Sequence, residues 1–168
     1  GLQMTDSTTL DRSKIEKVIE AFQRGATLGQ VLGVSKDELE NLYALGRTLY
    51  AAKNFKDSQV VFQMLTIYNP NDERFWLGLA GSRQGLENYE GAIDAYQLAA
   101  IRNGMKDPTP LLYAVRCMLK LNRKEDAIGG LEGIVLIGDE SLPEVKKCHI
   151  QAKALLQLLK SGQKESAE

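Results

Sequence analysis

The chain carries little with which to do chemistry. One histidine, His149, and two cysteines, Cys117 and Cys148, stand among 168 residues. Two cysteines are too few for a disulfide scaffold, and a reducing cytosol is the simplest compartment for them. Two thiols and one imidazole cannot close a four-ligand metal site, so neither metal nor cofactor is expected. Cys148 and His149 are neighbours on a helical stretch, where successive side chains point roughly 100° apart, and so form no nucleophile–base dyad. His149 reads as a surface or rim residue, Cys148 as part of an apolar stripe. Charge of one sign is also missing. A net charge of −1 and a pI near 6.0 offer no electrostatic footprint for nucleic acid or an anionic membrane. No apolar run approaches the roughly 18–20 residues that span a bilayer, so direct membrane insertion is not expected. No signal peptide opens the chain, and residues 1–3 read as a tag remnant before Met4. Alternating strand patterns are absent. Gly78-x-x-Gly81-x-x-x-Gly85 lacks the preceding strand and following Lys-Ser/Thr of a phosphate loop. Asp37-Glu38-x-Glu40 reads as a solvated helix start favoured by the helix dipole. No group of residues meets the geometric demands of an enzyme.

What the chain does contain is a repeat. Leu42, Leu45, Gly46, Ser58, Phe62 and Leu65 recur 34 residues later as Trp76, Leu79, Ala80, Ala92, Tyr96 and Ala99. Asn54-Phe55 recurs as Asn88-Tyr89, and Gln63 as Gln97. At a shift of 35, Trp76, Leu79, Ala80, Ala92, Ile93, Tyr96 and Ala99 map onto Leu111, Ala114, Val115, Ala127, Ile128, Leu131 and Ile134. This period and its pattern of large and small residues are the signature of a tetratricopeptide (TPR) array. Each unit is a pair of antiparallel helices that cannot bury its apolar face alone, and a stack of units curves into a groove that holds other polypeptides. The expectation is an all-α TPR solenoid of three repeats with extra helices at both ends, and a binding function rather than a reaction.

The punctuation divides the chain as follows. Residues 1–11 are expected to be a disordered tail that includes the tag remnant. Residues 12–160 form one TPR domain, with repeats at about 39–72, 73–106 and 108–141 and a capping helix at 142–160. Residues 161–168 form a second disordered tail. Over 12–24, Ile15, Val18, Ile19 and Phe22 make one helical stripe, closed by Gly25. Ser35-x-x-Glu38 and Ser141-x-x-Glu144 read as capping boxes. Pro70 ends a helix, and Pro108 opens one.

Within a repeat, small residues let the two helices approach: Gly46 or Ala80 on the first helix, Ser58 or Ala92 on the second. Trp76, Leu79, Phe62 and Tyr96 are expected to fill the core around them. The other face of each first helix is expected to line the groove. The candidate binding residues are Tyr43, Arg47 and Tyr50 in the first repeat, Leu77, Gly78, Gly81 and Gln84 in the second, and Leu112, Tyr113 and Arg116 in the third. A helical glycine costs roughly 1 kcal/mol against alanine. The glycines at 78 and 81 therefore either leave shallow room for a ligand or permit close helix packing. Aromatics beside shallow pockets suit an extended peptide, with Gln84 and Arg47 bonding its backbone carbonyls.

The stretches Leu39-Glu40-Asn41-Leu42-Tyr43-Ala44-Leu45-Gly46, Phe62-Gln63, Phe75-Trp76-Leu77-Gly78-Leu79-Ala80, Arg83-Gln84 and Tyr89-x-x-Ala92-Ile93-x-x-Tyr96 resemble the class II (translocator) chaperones of bacterial type III secretion. Gly25-Ala26-Thr27-Leu28, ahead of the first repeat, resembles the same family. The resemblance covers about residues 12–160. It implies a cytoplasmic bacterial chaperone that holds hydrophobic translocator proteins soluble and secretion-competent, with an extended client segment in the groove. It further implies groove aromatics at Tyr43 and Tyr50, with Arg47 where an aromatic fits the family pattern better. It also implies a homodimer formed through Ile15, Val18, Ile19 and Phe22, the alternative for this stripe being that it docks only on the first repeat. The alternative is a TPR adaptor that scaffolds a larger complex. One such subclass clamps C-terminal carboxylates with Lys and Asn where this chain has Tyr43 and Arg47.

Overall fold

Short polar side chains set the helix starts. In the computed structural model, which describes residues 12–167, the Ser35 hydroxyl accepts from the Glu38 amide at 3.1 Å while the Glu38 carboxylate accepts from the Ser35 amide at 3.4 Å. This is the expected capping box, and Thr27 and Gln30 form another one helix earlier. Asn54 and Asn88, one repeat apart, cap their helices in the same way, accepting from the amides of Asp57 and Gly91. Just before them the chain turns through left-handed residues at Lys53 and Glu87, and again at Asn122, with φ of 60°, 60° and 58°. One turn geometry thus serves three times.

The described residues form nine helices and no strand: α1 (Arg12–Gln23), α2 (Leu28–Val31), α3 (Lys36–Ala51), α4 (Phe55–Tyr68), α5 (Glu73–Gly85), α6 (Tyr89–Arg102), α7 (Thr109–Lys120), α8 (Lys124–Ile134) and α9 (Pro143–Ala167). Helices α3–α4, α5–α6 and α7–α8 are the three hairpins, and each helix from α3 to α9 packs on the next. The core runs along the stack through Phe62, Leu65, Phe75, Leu79, Ala92, Tyr96, Val115 and Leu131. Alanines at 92, 95, 99 and 100 keep α6 thin enough to lie between two neighbours. Where α4 meets α5, the buried hydroxyls of Ser58 and Ser82 share a hydrogen bond of 2.7 Å.

Several expectations need correction. Trp76 is half-buried rather than central. Its indole N–H donates to the Pro70 carbonyl at 2.7 Å, over the α4–α5 turn, and the adjacent Phe75 takes the core position. Ser141 forms no capping box with Glu144. Its hydroxyl donates to Asp139 Oδ1 at 2.7 Å, and α9 opens on Pro143. Helix α9 continues past residue 160 to Ala167, so the backbone expected to be a loose tail from 161 is helical. No proline interrupts it, and Ser161 donates to the Gln157 carbonyl. The tail expected at residues 1–11 lies outside the described residues. His149 is not a rim residue but 4% exposed. Its Nε2 lies 2.7 Å from the Ile137 carbonyl and its Nδ1 2.8 Å from Glu140 Oε1. It ties α9 to the loop that precedes it, and Glu140's carboxyl is held below the usual range by this contact. Cys148 is buried as expected, and burial pushes its thiol up.

Candidate binding groove

The first helices of the three hairpins, α3, α5 and α7, each present one face to a single cavity of about 770 Å³. Tyr43, Arg47 and Tyr50 come from α3, Leu77, Gly78, Gly81 and Gln84 from α5, and Tyr113 and Arg116 from α7. All candidate groove residues except Leu112 therefore meet in one place. Leu112 is buried at 1% exposure because α9 packs across α7, and it touches only a smaller cleft between those two helices. Its assignment to the groove is corrected: the third repeat contributes Tyr113 and Arg116 from the next positions along.

The glycines hold rings. A Cβ built on Gly78 would lie 2.2 Å from Phe62 Cε1, and one on Gly46 3.0 Å from Phe62 Cζ. The Phe62 ring, rising from α4, is gripped between α3 and α5 where both lack side chains. Close packing thus accounts for Gly78. Gly85 lies against the Phe55 ring, at 2.5 Å from a Cβ position, and Gly81 under the Tyr50 ring, at 3.1 Å. Tyr50 and Phe55 are themselves an edge-to-face pair with centroids 5.4 Å apart. The groove floor is consequently a sheet of aromatic edges seated on backbone.

Phe62 and Tyr96 both line the cavity, although their positions read as pure core. They stand 34 residues apart, the same position of two successive second helices, and that recurrence was the available signal. Tyr96 donates its hydroxyl to Gln84 Oε1 at 2.7 Å and stacks obliquely on Tyr113, centroids 5.5 Å apart. Burial pushes its phenol well above the usual range, which keeps it a neutral donor. Gln84 retains its amide N–H groups for a ligand.

Arg74 fastens one end of the groove. It reaches Glu40 Oε1 at 2.6 Å and Asp72 Oδ2 at 2.8 Å, with its guanidinium 4.5 Å above the centre of the Tyr43 ring. Glu40 and Arg74 are one repeat apart, so the pair ties equivalent positions of α3 and α5. The Arg74 hydrogen bond holds the Glu40 carboxyl below its usual range. Arg47 lies 5.9 Å from the Tyr43 ring centre and Arg116 5.6 Å from that of Tyr113.

At the other extreme, α1 packs on α2 and leaves Ile15, Ile19 and Phe22 exposed, with Val18 half-covered. Among the described residues no three His, Cys, Asp or Glu side chains come together as a metal site, and no helix is long and apolar enough to cross a membrane.

The chain matches no protein-family model. It is 32% identical over 154 residues to the low calcium response locus protein H of Yersinia pseudotuberculosis, covering 90% of each chain. The type III secretion translocator chaperone SycD of Yersinia enterocolitica superposes with a TM-score of 0.68 at 30% identity, over 79% of this chain and 98% of SycD. The chain belongs to the translocator chaperones of type III secretion. Other solved structures agree with this. SycD has also been solved in complex with a peptide of the translocator YopD, and that structure matches with a TM-score of 0.68 at 31% identity, over 77% and 98%. A type III secretion complex from Aeromonas hydrophila gives a TM-score of 0.79 at 30% identity, over 89% and 98%. The all-α TPR architecture of this chaperone is that of its family.

Proposed function

We propose that this chaperone holds an extended, apolar-anchored segment of a hydrophobic translocator in the α3–α5–α7 groove, in the bacterial cytoplasm, and keeps that protein soluble and secretion-competent without catalysing a reaction. The observation that carries the reading is the groove floor: the rings of Tyr43, Tyr50 and Tyr113 line one open cavity and stay partly exposed, above the buried rings of Phe62 and Tyr96. Edges of rings leave clefts for alternate side chains of an extended chain, while Gln84 and Arg47 offer donors to its carbonyls. The YopD peptide bound to SycD supports the same use of the fold. Buried aromatic anchors of this kind are worth about 2 kcal/mol or more when truncated. The exposed stripe of α1, through Ile15, Val18, Ile19 and Phe22, is assigned to weak self-association, consistent with the dimers reported for SycD.

The test is co-expression of a hydrophobic translocator from the same secretion system with the wild type, Tyr50→Ala and Gly81→Trp. Tyr50 is 43% exposed, and the three atoms nearest a Cβ at Gly81 all belong to the Tyr50 side chain, at 3.1–3.3 Å. Both variants should keep a melting temperature near wild type and lose the translocator from the soluble fraction. Variants that still co-purify the translocator in full would move the site off the groove.

A further inference from the structure

The groove lining contains three arginines, at 47, 74 and 116, and no carboxylate. Arg74 is already matched by Glu40 and Asp72. Arg47 and Arg116 are different: among the described residues neither makes an ion pair. Arg47 meets only the Tyr43 ring, and Arg116 meets the Tyr113 ring and, at 3.4 Å, the side-chain oxygen of Gln151. The whole chain is nearly neutral, with 21 basic and 22 acidic residues, so this imbalance is local to the groove. A ligand lying in the groove would strip water from both guanidiniums. Covering a cation without supplying a counter-charge is costly, and a guanidinium fork pairs best with a carboxylate, which can accept two of its hydrogens at once.

We infer that the segment taken by the groove carries one carboxylate at each end of its apolar stretch, one for Arg47 on α3 and one for Arg116 on α7. The inference rests on the groove reading above and adds the chemistry of the occupant. The spacing follows from the architecture. Arg47 and Arg116 stand on the first and last of three helices that line the cavity, two interhelical steps of about 8–10 Å each. An extended chain advances about 3.3 Å per residue, so the two acids are about five or six residues apart, with the apolar anchors between them.

A display library of random twelve-residue peptides, selected in parallel on the wild type, on an Arg47→Gln/Arg116→Gln variant and on Gly81→Trp, tests this. The wild type should select apolar peptides enriched in Asp or Glu at two positions about five or six apart, and the double variant should select the same apolar anchors without the acids. Replacing both acids of a selected peptide by Gln or Asn should weaken its binding to the wild type about ten-fold at low salt, and much less at high salt. That second measurement does not depend on how well the protein variant folds. Peptides that are apolar, blocked by Gly81→Trp and free of acid enrichment would overturn the inference while leaving the groove reading in place. A library that yields no binder sensitive to Gly81→Trp would overturn the groove reading, and the inference with it.

Discussion

Adding one methyl group at Gly78 should destabilise this chaperone, although the same change in an ordinary helix stabilises. In a helix interior, alanine is favoured over glycine by about 1 kcal/mol. At Gly78 the new Cβ would stand 2.2 Å from the Phe62 ring, nearer than real Cβ contacts come. Retreat is blocked on the opposite side, where Gly46 already faces the ring closely, and Phe62 is buried within the core. Overpacking of this kind costs about 1–3 kcal/mol, and the rigid ring places this case at the upper end. The net loss is then about 2 kcal/mol. For a chain of this size that lowers the melting temperature by roughly 4–8 °C. Gly129→Ala is the control. It lies in α8 with nothing within 4 Å of its Cβ position, and should raise the melting temperature by roughly 1–3 °C. Thermal unfolding followed by far-ultraviolet circular dichroism reads both. Repeating Gly78→Ala on a Phe62→Leu background isolates the contact, since the penalty should shrink once the ring is gone. A Gly78→Ala protein as stable as wild type would refute the reasoning, because the ring would then have room that the packing denies it.

Other perturbations follow from the same geometry. His149→Ala should cost about 1–3 kcal/mol by leaving the Ile137 carbonyl unpaired and should speed hydrogen exchange in the turn before α9; unchanged exchange there would show that the imidazole pins nothing. Arg74 holds the Glu40 carboxyl below its unfolded value, so the pair's contribution is complete above the ordinary carboxylate range and disappears as pH falls through the lowered value. Glu40→Gln should flatten the melting temperature against pH in that acidic window alone, and a wild-type-like slope would remove Glu40 from the account. Ile19→Glu should lower the average mass in sedimentation at high protein concentration, as the Ile19 side chain is half exposed on the free stripe of α1; an unchanged dimer population would place self-association elsewhere.

The repeat was legible because its punctuation is chemical. Pro70 interrupts and Ser35 with Glu38 closes a box, so those helix ends could be read from single residues, and the recurrence of Asn54 at Asn88 marked two equivalent turns. The groove was legible as a face, since residues three and four apart on one helix must point the same way. What stayed hidden depends on neighbours distant in the chain. Phe75 and Trp76 are adjacent and both large, and only the packing of α4 decides which turns inward. Leu112 has the spacing of a groove residue but is covered by α9, which returns over α7 from beyond the last repeat. His149 could not be read as buried without knowing that Ile137 and Glu140 fold back to meet it. Gly78 was compatible with two readings until the ring of Phe62, sixteen positions earlier, was seen to occupy the space.

Phe62 and Tyr96 belong at once to the interior that holds the helices together and to the floor on which an occupant would lie. Ligand occupancy and folding are therefore thermodynamically linked through the same atoms. A ligand present at a hundred times its Kd stabilises the folded state by about 2.7 kcal/mol, slightly more than the loss assigned to Gly78→Ala. A damaged copy of this chaperone would thus be rescued by its own cargo. Among copies that turn over through unfolding, those holding a client would outlive those without one, so that the supply of translocator would set the working level of the protein that guards it.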